Sequence, residues 1–195
     1  PLTLNRCAVV GNMSLYGDGG GIAAAEGSVT TLINTTVSEN ASNYIGGGIW
    51  AMAASKVTLI HATVTANLAY WVGGISVDYD EWEGSGQVTL QNSIVAGNGL
   101  RPDPEVPGEE PWPDVRGAVV SLGGNLIGDG TGATGWVAGD QVGTAEAPID
   151  PLLLYPVVNE PGTTPTYALS ESSPALDAAP TCEVATDQRG VTRPQ

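Results

Sequence analysis

Apolar and polar positions recur along this chain in fixed columns. The segments Leu4–Asn12, Leu32–Asn40, Leu59–Asn67 and Leu90–Asn98 align without gaps, and their leucines are spaced by 28, 27 and 31 residues. The third position after each Leu is small (Cys7, Thr35, Ala62, Ser93), and the fifth is Val (Val9, Val37, Val64, Val95). A second marker, Gly-Gly-Ile, ends at Ile22, Ile49 and Ile75, with spacings of 27 and 26. Short β-branched runs punctuated by Gly predict strands, not helices. If each period is one turn of a solenoid, like residues stack on like at the strand spacing of roughly 4.8 Å. A sandwich of antiparallel hairpins explains short strands but not ungapped columns. The pattern therefore predicts an all-β, parallel β-helix of about five coils. The recurring Asn12, Asn40, Asn67 and Asn98 are expected at one bend, as a structural ladder. Asn tolerates left-handed geometry, and each amide can bond the amide of the next coil.

The repeat also sets the domain organisation. Residues 1–128 are expected to form the coils, with an acidic, Pro-rich excursion at 99–116, since Pro cannot serve a central strand. A shorter insertion, Asp78 to Glu83, accounts for the longest Leu spacing. Residues 129–195 have weak periodicity and are expected as an irregular segment that covers the last coil or runs along one face. The whole reads as one structural domain, in keeping with 195 residues.

Charge excludes some partners. Six basic residues against 21 acidic ones give a formal charge of −15. No basic stripe is available for a phosphate backbone or for an anionic membrane surface. No apolar run approaches the roughly 20 residues that span a bilayer, so this segment is not expected to insert in a membrane. A hydrophobic content of 42% supports a buried core.

The repeat segments, such as Asn34 to Ala41 and Gly46-Gly47-Gly48-Ile49, resemble the right-handed parallel β-helix repeat family, which has the pectin-lyase-like fold. Further along come Gly124-Asn125-Leu126-Ile127-Gly128, Asp150-Pro151-Leu152, Thr166-Tyr167-Ala168-Leu169, Ser173 to Asp177 and Thr186 to Gly190. In this order they resemble the choice-of-anchor Q domain of bacterial secreted and surface proteins. The resemblance implies a right-handed solenoid and an exported, cell-surface protein; it implies no single activity. It also groups Asp177, Asp187 and Arg189 in a tail motif, where a carboxylate–guanidinium clamp would fix the tail.

Other residues carry chemistry on their own. Tyr16, Tyr44 and Trp71 lie four residues past successive ladder asparagines. Stacking would place them in one row, either a platform for sugar rings or an aromatic stack under a loop. Ca²⁺ is the one cofactor the sequence raises, since it takes six to eight oxygens and carboxylates on a loop supply several. Its candidates are Asp78, Asp80, Glu81 and Glu83, with a second acidic group at Asp103, Glu105, Glu109, Glu110 and Asp114. Solvated acidic loops explain both groups without a metal. Arg101, near these groups, is the only candidate base, and no pair of carboxylates is singled out by spacing. The GxGxxG letters at Gly130 to Gly135 lack a following helix. His61 is the only His, in a polar column with Arg6, Asn34 and Asn92, and reads as structural. Cys7 and Cys182 can remain free thiols, form an intramolecular disulfide if the tail returns to the first coil, or link two subunits.

No catalytic residue is assigned. The sequence favours a non-catalytic extracellular or cell-surface scaffold for adhesion or surface assembly. Its partners would be itself, head-to-tail into fibres, or surface components and glycans. The alternative is a carbohydrate-active β-helix protein, either a polysaccharide lyase or a glycan-binding module.

Overall fold

The computed structural model describes residues 1–80, 84–100, 113–182 and 184–193, with side chains at all of them but 79, 80 and 84. The described residues form an all-β, parallel β-solenoid of about four turns, one fewer than the five coils expected. Each turn contributes a short strand to each of four faces. The first face stacks Leu2–Asn5, Val29–Ile33, Lys56–Ile60, Gln87–Gln91 and the end of Val115–Ser121. The second stacks Ala8–Val10, Thr36–Ser38, Thr63–Thr65, Ile94–Val95, Leu126–Ile127 and Gln141–Val142. The third stacks Met13–Ser14, Ala41–Ser42, Leu68–Ala69 and Gly99–Leu100, and the fourth Ile22–Ala24, Ile49–Ala51, Ile75–Val77 and the start of Val115–Ser121. That last strand rounds the corner between the fourth face and the first.

The predicted columns are the register. Leu4, Leu32, Leu59 and Leu90 are successive partners, as are Val9, Val37, Val64 and Val95, and Ile22, Ile49 and Ile75. Their side chains fill a narrow core that is fully buried from the second coil onward, whereas Leu4 and Val9 of the first coil are only partly covered. The opposite end is closed: Ala133, Trp136 and Val142 pack on the core, and Ala133–Thr134 and Gln141–Val142 pair with the last strands.

Two bends per turn need left-handed backbone. At the first they fall on Arg6, Asn34, His61 and Asn92, with φ between 47° and 57°. At the second they fall on Gly11, Glu39, Ala66 and Gly97. The ladder asparagines follow these residues and are not themselves left-handed, which corrects the reason given for their placement. Ala66 and Glu39 hold a strained conformation there, imposed by the coils on either side.

From Asp150 the chain runs back along the second face as a strap. It carries a small antiparallel hairpin, Val157–Val158 with Pro165–Thr166. Its contacts walk down the solenoid. Gln141 Nε2 donates to Pro174 O, Asn92 Nδ2 to Thr181 O, and Asn34 Nδ2 to Thr186 O. At the first coil, Gln188 Nε2 donates to Cys7 O at 2.9 Å, and Arg6 donates to the carbonyls of Gln188 and Arg189. Arg6, Asn34 and Asn92 belong to the first left-handed column, so the bends that turn each coil also grip the strap.

Because Leu59 is fully buried between Leu32 and Leu90, Leu59→Ala should cost roughly 2–5 kcal/mol of unfolding free energy. Urea denaturation monitored by circular dichroism measures it; a loss below about 1 kcal/mol would mean that the core collapses around the gap.

Candidate functional site

The asparagine column is a continuous hydrogen-bonded ladder. Each Oδ1 accepts both the backbone N–H and the side-chain Nδ2–H of the asparagine one coil before. Asn12 donates to Asn40, Asn40 to Asn67 and Asn67 to Asn98, with each amide–amide bond at 2.9 Å. Glycine makes room for it. A Cβ on Gly21, Gly48 or Gly74 would come within 3.0 Å of the Nδ2 of Asn40, Asn67 or Asn98. This explains the Gly-Gly-Ile marker.

At the next position the pattern changes. Register places Gly130 where a fifth ladder amide would stand, and Asp114 takes the place of the column glycine, beside Gly74. The Asp114 carboxylate fills the vacant amide position. Its Oδ1 accepts from Asn98 N and Nδ2, both at 2.8 Å, and its Oδ2 accepts from Asp129 N at 2.8 Å. Asp114 is therefore buried structure and not part of a solvated acidic loop. Only the strand pairing reveals this role: Asp114-Val115 stands in register with Gly74-Ile75, with no Gly-Gly-Ile marker to show it in the sequence.

A shorter ladder occupies the small column at the other bend. Ala62 N–H donates to Ser93 Oγ, Ser93 N–H to Asn125 Oδ1, and Asn125 N and Nδ2 both donate to Asp140 Oδ1 at 3.0 Å. Asp140 Oδ2 accepts from Ser121 Oγ at 2.6 Å and from Val137 N. Asp140 escaped sequence reasoning because no repeat column leads to it. Both ladders thus end on a carboxylate.

The tail motif is only partly a clamp. Arg189 Nε bonds Asp187 Oδ2 at 2.7 Å, and Asp187 Oδ1 accepts from Val191 N, closing a tight turn. Asp177 stands apart, exposed on a left-handed backbone. Both cysteines are free. The strap does return to the first coil, but it delivers Gln188, not Cys182, to Cys7. His61 lines a cleft beneath the strap. Of the first Ca²⁺ candidates, Asp78 anchors the Tyr79–Asp80/Gly84–Ser85 hairpin through its backbone. Glu81 and Glu83 lie outside the described residues, as do Arg101, Asp103, Glu105, Glu109 and Glu110.

Tyr16, Tyr44 and Trp71 form an exposed row rather than a buried stack, with 93%, 45% and 40% of their surface accessible. Met13, Leu15 and Leu68 on the adjoining third face and loop are exposed beside them. The loops beneath are tied coil to coil. Ser14 Oγ and Ser42 Oγ both donate to Gly17 O, Asn43 Nδ2 donates to Leu15 O, Ile45 N donates to Asp18 Oδ1, and Trp71 N donates to Tyr44 O. The rings thus sit on a fixed base.

No family model, curated protein or solved structure matches this chain.

The ladder generates two expectations. Asn67→Ala strands the donors that Asn40 aims at its side chain and takes a donor from Val37 O in the interior, leaving Asn98 Oδ1 with the backbone N–H of residue 67, so it should cost roughly 3 kcal/mol or more. Asn12→Ala, at the exposed start of the ladder, should cost about 1 kcal/mol or less; equal losses in urea denaturation would sink the ladder as a source of stability. Burial pushes the Asp114 carboxyl upward from its ordinary value, against the lowering pull of its bonds from Asn98 and Asp129. With the folded value raised, the stability linked to Asp114 is complete at low pH and falls as pH rises through that value. The difference in unfolding free energy between wild type and Asp114→Asn should shrink over that window, and a pH series of denaturation curves reads its sign.

Proposed function

We propose that this protein is a non-catalytic β-helix scaffold that acts outside the cell or on its surface, in adhesion or assembly, and that its contact surface is the aromatic and apolar stripe along the third face. One observation carries the reading: six large apolar side chains, Met13, Leu15, Tyr16, Tyr44, Leu68 and Trp71, are exposed on one side of the solenoid. Contiguous exposed apolar surface on a folded domain marks an interaction site. The cross-coil bonds hold the loops that carry the rings before any partner arrives, which lowers the cost of ordering the backbone on contact. The buried carboxylates have structural work instead: Asp114 ends a ladder, Asp129 Oδ1 accepts from Thr131 N, and Asp187 closes the strap's turn. The resemblance to the choice-of-anchor Q domain supplies the exported, bacterial setting.

A second reading, end-to-end self-association, is favoured by the first coil. Its strands pair on one side only, and Leu2, Val10 and Met13 are exposed there. Strand edges of this kind are templates for pairing with another chain. The other end of the solenoid is covered by Trp136 and its neighbours.

The stripe is tested by changing Tyr16, Tyr44 and Trp71 together to Ser. These exposed positions should shift stability by no more than about 0.5 kcal/mol each. Wild type is expected to sediment with insoluble polysaccharide or bacterial envelopes, and the triple variant to stay in solution. Equal sedimentation of the two would reject the stripe, and release of unsaturated products from an acidic polysaccharide would reject a non-catalytic role. Concentration-dependent sedimentation velocity that survives the triple change would favour the first-coil edge.

A further inference from the structure

The strap does not lie flush on the second face. A cleft of about 510 Å³ separates them, and a second of about 210 Å³ opens beside it, sharing His61, Thr63, Tyr167 and Arg193. The larger volume suits a small-ligand site. Among the described residues its charged lining is Asp177, Asp187, Arg189 and Arg193, two of each sign in a chain with a formal charge of −15. Asp187 and Arg189 bond one another. Arg193 is held in place by neutral oxygens, Asn34 Oδ1 at 3.2 Å and Thr186 O at 3.4 Å. Asp177, exposed, lines the cleft on a left-handed backbone, φ 53°, a conformation that costs a non-glycine residue free energy.

These groups define a ligand chemistry. A carboxylate can accept from two neighbouring hydroxyls, and a guanidinium can donate to two neighbouring oxygens. Placed on one cleft they can read a polyol, and the charges of these four groups balance one another. The Thr63 hydroxyl on the floor both donates and accepts. The Tyr167 ring, its phenol held 3.1 Å from Glu39 Oε1, adds a flat apolar wall. The geometry points to a binding site for a neutral, hydroxyl-rich ligand of about disaccharide size, between the strap and the second face. This site is separate from the aromatic stripe.

Isothermal titration of the whole chain with maltose, cellobiose, lactose and mannobiose tests it, with glucuronic acid and glucosamine as charged comparators. At least one neutral disaccharide is expected to bind with one-to-one stoichiometry. Asp177→Asn and Thr63→Val should each weaken it about tenfold, the loss expected for one hydrogen bond, with the unfolding midpoint unchanged. Trp71→Ala should leave the affinity as it was, which separates this site from the stripe. The proposal is overturned if no neutral disaccharide binds at millimolar concentration, if a charged sugar binds more tightly, or if both variants bind like wild type.

Discussion

A side-chain amide has an acceptor at one end and donors at the other, and a buried row of amides inherits that polarity. In this solenoid every ladder amide accepts from the preceding coil and donates to the following one. The row has no internal place to stop, because each added amide leaves its own N–H groups seeking an acceptor. A carboxylate, which only accepts when ionised, ends the row, and both ladders finish on one: Asp114 in the long row, Asp140 in the short. Burial raises the cost of ionising Asp114. Three N–H groups pointing at its two oxygens offset part of that cost.

The rest of the architecture serves this register. Glycine stands beside the ladder because a methyl group there would strike an amide. The left-handed residues turn the chain sharply enough to return each Leu beneath the previous one. Cores that stack in this way divide the surface into long, flat faces. Here the strap takes the second face, while the aromatic loops beside the third stay in solvent.

Much of this was legible because stacking forces like residues into like positions. The Leu, Val and Ile columns and the Asn ladder are visible in the sequence for that reason. The columns mislead where a coil departs from the average. The fifth partner of the Leu column is Ser121, since the strand Val115–Ser121 rounds a corner and Ser121 is committed to Asp140. Asp114 is hidden by its neighbours, because a run rich in Pro and acid reads as loop even where one carboxylate plunges inward. The path of the strap was not legible at all. It is set by single bonds between side chains and carbonyls at long separation, such as Arg6 to Gln188 and Asn34 to Thr186, which leave no period to detect. The exposure of the aromatic row likewise depends on loops whose ties are individual Ser, Asn and Asp side chains.

The strap also bears on the order of assembly. A solenoid alone can add coils one by one as it leaves the ribosome, each needing only its neighbour. In this chain the first coil is completed by Gln188 and Arg189, more than 180 residues downstream. The coil of residues 2–24 thus gains its full set of contacts only after residues 188 and 189 have been made.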